Sequence, residues 1–168
     1  MDKNKSKKVI SEVISYIIII FLVVFIKKYI VSPIKVNGSS MEKTLQDKDI
    51  MILNEFTYYF NSINRFDIVV VREQGELLIK RVIGLPGEKI KCQNGVIYIN
   101  DKELTESYTS SVTEDFEEVK IAFDEYFVMG DNRSVSLDSR VYGTYSKSEI
   151  RGKANFTVYP FDRFGNKE

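Results

Sequence analysis

The sequence predicts a mainly β chain: a compact antiparallel domain of barrel or sandwich type, preceded by one helix apolar enough to cross a membrane. Three observations carry that reading. Short apolar or aromatic runs recur from Ser32 onward, with turn residues between them. Asn94-Gly95 stands between Ile90-Lys91-Cys92 and Val96 to Ile99, a strong hairpin signal. The run Ile17 to Ile26 is apolar on every side, unlike an amphipathic surface helix.

Taken in order, residues 1–8 form a basic amino terminus containing Lys3, Lys5, Lys7 and Lys8. Residues 9–31 follow as the expected anchor. Val9 to Ile26 holds one charge, Glu12, and at 1.5 Å per residue reaches roughly 27 Å, close to the hydrocarbon thickness. A cleavable secretory signal also has a basic start and an apolar middle, but here Lys27-Lys28-Tyr29 replaces a small-x-small cleavage site. More lysines precede the segment than follow it, so the amino end is expected in the cytoplasm and residues 32–168 outside it.

Strands are expected at Ile50 to Leu53, Ile68 to Val71, Leu77 to Ile83, Val96 to Ile99, Tyr126 to Met129 and Phe156 to Tyr159. Gln74-Gly75, Pro86-Gly87, Asn94-Gly95 and Gly130-Asp131-Asn132 mark turns between them. Leu104 to Glu118 is polar and acidic and reads as an excursion within a small insertion at about 93–122. The tail from Phe164 to Glu168 reads as frayed.

Composition removes several function classes. Lysines and arginines number 24, as do the acids, so the net charge is zero and nucleic acid is not an expected partner. One cysteine, Cys92, excludes an internal disulfide; with no histidine beside it, a metal site is not expected, and no cofactor is called for. Cys92 reads as an ordinary strand residue.

The lack of histidine directs attention to Lys80, set among Leu78, Ile79, Val82 and Ile83. Histidine is the commonest general base; without it, a lysine in aliphatic surroundings is the leading candidate to activate a hydroxyl. An unperturbed lysine is neutral in only about one molecule in a thousand at pH 7.4. Lowering its pKa by two to three units takes about 3–4 kcal/mol, within the reach of apolar burial. An edge-strand lysine that discourages aggregation is the plain alternative.

A serine is available in Val36-Asn37-Gly38-Ser39-Ser40-Met41-Glu42-Lys43-Thr44-Leu45. It is followed by Arg65-Phe66-Asp67-Ile68-Val69, by Lys80-Arg81-Val82-Ile83-Gly84-Leu85-Pro86-Gly87-Glu88, and by Gly130-Asp131-Asn132-Arg133-Ser134-Val135-Ser136-Leu137-Asp138-Ser139-Arg140. In this order behind an apolar anchor, these blocks resemble the type I signal peptidases, and the short insertion resembles the compact Gram-positive members. The resemblance covers nearly all of the chain after Ser32. One departure stands out: Lys43 occupies the place of the proline in Ser-Met-x-Pro-Thr-Leu. Losing a fixed φ there is expected to loosen the turn and is compatible with a narrower substrate set, such as pilins.

The resemblance implies a membrane-bound serine endopeptidase of signal-peptidase fold that removes signal peptides from exported preproteins after small residues, in Ala-x-Ala fashion. Ser40 would be its nucleophile and Lys80 its general base. It implies that Arg81, on the opposite strand face from Lys80, holds the scaffold by pairing with a carboxylate such as Asp131. Ser136 would hydrogen-bond the lysine amine, and Asp138 and Arg140 would form a nearby ion pair. The oxyanion donor would be the Ser40 N–H, while Gly38 removes a second hydroxyl donor and admits the substrate chain. Val36, Met41, Leu45, Leu78 and Ile79 match the pocket lining, though each also reads as plain core. Tyr58-Tyr59-Phe60 reads as an interfacial aromatic cluster or as core. Signal peptides, the lipid bilayer and a secretion translocon are the implied partners. Two competitors remain: a non-catalytic secretion or pilus assembly factor of the same fold, and a self-cleaving repressor-type Ser-Lys protease. The second would carry a DNA-binding helical domain where the apolar segment stands.

Overall fold

The computed structural model describes residues 3–29 and 31–167, with side chains described for 7–24 and 32–167. Helix α1, Lys3–Tyr29, runs unbroken for 27 residues. From Val9 to Val24 its apolar side chains stand about half exposed or more. Lys7, Lys8 and Glu12 interrupt the described stretch, and among the described residues no helix is long and apolar enough to cross a membrane. The span expected at 9–31 continues onto residues 25–31, whose side chains lie outside the described residues.

After α1 come β1 (Val31–Lys35), β2 (Ile50–Asn54), the short helix α2 (Thr57–Phe60), β3 (Ile68–Glu73) and β4 (Glu76–Gly84). They are followed by β5 (Lys89–Gln93), β6 (Val96–Ile99), β7 (Lys102–Glu103), β8 (Phe116–Lys120) and β9 (Glu125–Met129). Helix α3 (Ser139–Tyr142), β10 (Tyr145–Ser146), β11 (Ile150–Tyr159) and β12 (Gly165–Asn166) complete the chain. All pairings are antiparallel. The larger sheet runs β1-β2-β11-β3-β4-β9-β10, with β12 on β11; the smaller runs β7-β6-β5-β8. Neither order returns to its start, so the barrel alternative is corrected to two open sheets.

Sequence pattern explains the layering. In β3 the run Ile68-Val69-Val70-Val71 is buried throughout, and alternate residues serve different faces. Val69 and Val71 pack with Val82, Val128 and Tyr145, while Ile68 and Val70 pack with Val36, Met41, Leu45, Met51 and Ala154. A third cluster joins Ile83, Phe127 and Met129 of the larger sheet to Ile90, Cys92, Ile97 and Ile121 around the smaller. The hairpin at Asn94-Gly95 forms as expected, both residues at positive φ, with Cys92 paired to Ile97.

Two further expectations need correction. The excursion Leu104 to Glu118 ends in strand β8, which pairs with β5, because Phe116 and Val119 pack against the third cluster. The tail is not frayed: Gly165 and Asn166 pair with Thr157 and Phe156, the Phe164 ring meets Phe156 at 5.0 Å, and Arg163 forms an ion pair with Asp49.

Candidate active site

Ser40 opens a tight turn that runs to Leu45. Glu42 N–H donates to Ser39 O at 3.0 Å, and Leu45 N–H donates to Met41 O at 2.8 Å. The turn is held down by Met41 and Leu45, both buried in the cluster beneath it. Gly38 precedes it at φ +89°, a conformation that favours glycine, with open space where a Cβ would stand. Asp47 accepts its N–H at 2.9 Å.

Lys80 lies in β4, opposite Val69 of β3. Its side chain is 3% exposed, and its Nζ is 2.9 Å from Ser40 Oγ. Burial pushes the amine down from its ordinary 10.5 to about 8. Asp138 and Asp131 pull the other way and Arg140 assists the lowering, so desolvation prevails. No carboxylate bonds the amine directly among the described residues.

The neighbouring Arg81 points to the other face of β4 and is fully buried. It grips Asp131 with two bonds, Nε to Oδ1 at 2.9 Å and Nη2 to Oδ2 at 2.8 Å. Thr44 Oγ1 donates to the same carboxylate at 2.5 Å, tying the Ser40 turn to the pair. Phe66 also contributes: at φ +73° its carbonyl turns to accept Arg81 Nη1 at 3.1 Å.

The loop after β9 closes the third side. Asn132 N–H donates to Ser40 O at 3.0 Å. Asp138 accepts Gly130 N–H at 3.0 Å and both Arg140 Nε and Nη2 at 2.9 Å. Burial works to raise the Asp138 pKa, but the Arg140 and Gly130 bonds outweigh it and hold the carboxyl below its ordinary range. Ser136 is buried in this loop. Its hydroxyl sits beside Asp138 and makes no well-formed hydrogen bond, to Lys80 or otherwise, among the described residues. Lys80 bonds Ser40 instead. Ser40 N–H donates to no acceptor among the described residues, so it is available to an oxyanion.

Of the lining residues expected from sequence, Val36, Met41 and Leu45 are buried in the core cluster below the turn. Leu78 and Ile79 pack on opposite faces of β4. The aromatic trio divides: Tyr58 is buried and donates its hydroxyl to Asp67, whereas Tyr59 and Phe60 are 78% and 81% exposed. Sequence reasoning passed over Thr44, although it sits inside the quoted motif. It also passed over Arg133, which bonds Gly130 O, Glu106 and Thr113, and Tyr108, whose ring lies 4.1 Å from the Arg81 guanidinium carbon. Arg133 also sits inside a quoted block, whereas only tertiary structure brings Tyr108 to the site.

Comparisons with known proteins agree on one family. Residues 9–159 match the family model "Signal peptidase, peptidase S26". The chain is 38% identical over 149 residues to Signal peptidase I of Bacillus amyloliquefaciens, covering 82% of this chain and 80% of that protein. It is 37% identical over 150 residues to Signal peptidase I S of Bacillus subtilis strain 168, covering 82% of each. Among solved structures, a crystal structure of a signal peptidase I from Enterococcus faecalis V583 superposes with a TM-score of 0.51 at 31% identity, over 55% of this chain and 97% of that one.

Proposed function

This chain belongs to the peptidase S26 family of signal peptidases, serine endopeptidases that remove signal peptides from preproteins, and we propose that it cleaves with a dyad of Ser40 and Lys80. The observation that carries the dyad is a buried amine 2.9 Å from a serine hydroxyl, in a chain without histidine. At alkaline pH the amine loses its proton and its lone pair can accept the one on Ser40 Oγ. The hydroxyl oxygen then attacks the scissile carbonyl carbon, and Ser40 N–H is available to the oxygen that gains charge. As the tetrahedral adduct collapses, protonated Lys80 returns its proton to the departing amine. Water, deprotonated by the same amine, releases the acyl group and restores the serine.

Arg81, Asp131, Asp138 and Arg140 act through geometry in this reading. The Arg81–Asp131 pair is sealed on the far face of β4, so Asp131 is bonded to Arg81 and its upward pull on the Lys80 amine is outweighed by burial. Arg140 similarly occupies Asp138. Ser136, whose hydroxyl lies beside Asp138, can meet the amine once Ser40 has turned to the substrate.

A substrate strand would enter beside Gly38 and lay alternate side chains over walls built from Val36, Met41, Leu45, Leu78 and Ile79. Shallow aliphatic walls favour small residues, hence Ala-x-Ala cleavage. We assign residues 1–8 to the cytoplasm, 9–31 to the bilayer and 32–168 to the far side, with the bilayer and a translocon as neighbours. The apolar girdle of α1 favours lipid. Tyr59 and Phe60 support the same orientation: Val31 of β1 pairs with Asn54, just before α2, so these exposed rings share the end of the sheet where α1 delivers the chain.

Detergent-solubilised full chain, incubated with a labelled preprotein, should release a signal peptide. Ser40→Ala and Lys80→Ala should each lower the rate by at least about a thousandfold, with the circular dichroism spectrum unchanged. Cleavage retained in either variant rules out the dyad.

A further inference from the structure

Lys43 stands at φ +83°, a left-handed conformation that a proline ring, locked near −65°, cannot reach. It is exposed, yet its side chain is not idle. Nζ donates to the carbonyl oxygen of Ser107 at 2.8 Å and reaches that of Thr109 at 3.5 Å. Both carbonyls belong to the segment between β7 and β8.

That segment is itself anchored to the active-site framework. Glu106 holds Arg133 through both carboxylate oxygens. Tyr108 lies over Arg81, Ser110 N–H donates to Asp131 O at 3.1 Å, and Ser111 Oγ donates to Asn132 Oδ1 at 3.3 Å. Residues 106–111 therefore form a strap across the back of the site. The next residue after Lys43, Thr44, bonds Asp131 directly. Adjacent residues of the nucleophile turn thus grip the framework at two points, one a half-buried hydroxyl on Asp131, the other an exposed amine on the strap.

We propose that Lys43 is a positioning residue that holds Ser40 in register with Lys80 by latching the nucleophile turn to the 106–111 strap. The proposal rests on the dyad reading. A turn fixed by a proline is constrained by its own ring; here φ is of the opposite sign, and the constraint comes from a cross-chain hydrogen bond. The strap's acceptors are backbone carbonyls, so the latch is tested from the amine side. It fixes the nucleophile rather than the substrate, and its loss should appear in kcat and not in KM.

The test measures kcat and KM of the full chain in detergent on a labelled preprotein for wild type, Lys43→Ala, Lys43→Gly, Lys43→Arg and Lys43→Pro, with a thermal midpoint for each. Lys43→Ala and Lys43→Gly should lose about fivefold in kcat with KM unchanged, the loss expected from one solvent-exposed hydrogen bond of ordinary strength. Lys43→Arg should recover most of it. Lys43→Pro should lose tenfold or more, because it removes the amine and forces φ to the wrong sign. Glycine adopts +83° freely, so a Lys43→Gly variant at or above wild-type kcat overturns the latch, as does a fully active Lys43→Pro. Ser40→Ala, run alongside, separates the two ideas. Cleavage retained there defeats the dyad; cleavage lost there with full kcat in Lys43→Gly defeats the latch alone.

Discussion

Lys80 sits where a lysine is least comfortable. Its pKa falls to about 8 because burial removes water from the ammonium, and that discomfort is a stability cost as well as a chemical asset. Below pH 8 the folded chain holds a charged amine in a dry site, and unfolding returns it to water. Between pH 8 and 10.5 the folded amine is neutral while the unfolded one stays protonated, so stability climbs with pH. Above 10.5 both are neutral and the penalty is gone. Lys80→Met should therefore gain about 3 kcal/mol near pH 7, fading as the pH approaches 10.5, in urea unfolding at several pH values. A difference that does not change with pH contradicts the assigned cause. This residue was legible in sequence because its aliphatic neighbours lie beside it in the chain. Lys43 and Phe66 were not, since a positive φ on a lysine or a phenylalanine leaves no mark in residue type. The loosened turn expected at Lys43 is in the structure a turn tied to a distant segment.

Among the elements, β4 shows how a two-residue period serves two chemistries: Lys80 meets the Ser40 hydroxyl on one face and Arg81 fills the other with a sealed ion pair. That division could be read directly from their adjacency. Strand β11 could be read only in part. Its last four residues, Phe156-Thr157-Val158-Tyr159, are aromatic or β-branched, but Ile150 to Asn155 alternates with arginine, lysine and glycine, and its pairing with β2 and β3 shifts register. Gly152 explains one irregularity, since a Cβ there would stand 2.5 Å from Asn54 O. Gly130, just past β9, has a more direct bearing on the site. A Cβ at that position would collide with both Ser136 Oγ and the Ser40 carbonyl oxygen. Gly130→Ala should push Ser40 away from Lys80 and lower kcat by about a hundredfold or more, with a stability loss of about 1–3 kcal/mol. A variant with unchanged kcat would show that Ser40 tolerates displacement.

Over the whole molecule, two open sheets and three apolar clusters bring together pieces separated by up to a hundred residues: the turn at 40, the strand at 80 and the loop at 130–140. The longer apolar strands and the order of these pieces were legible, because each carries a local pattern, whereas β1, β7, β8, β10 and β12 were not. Sheet closure, the strap and the Arg133–Glu106 tie were not, because they depend on which distant surfaces meet. The common product of this architecture is one amine kept dry beside one hydroxyl. The pH dependence of kcat/KM on a labelled preprotein between pH 6 and 10 tests it most directly, since that profile reports the essential base of the free enzyme. A rise with an apparent midpoint near 8 is expected, from the value Lys80 takes in its pocket. A profile flat across that range, or one that climbs only toward the ordinary lysine value of 10.5, would contradict a desolvated lysine as the base.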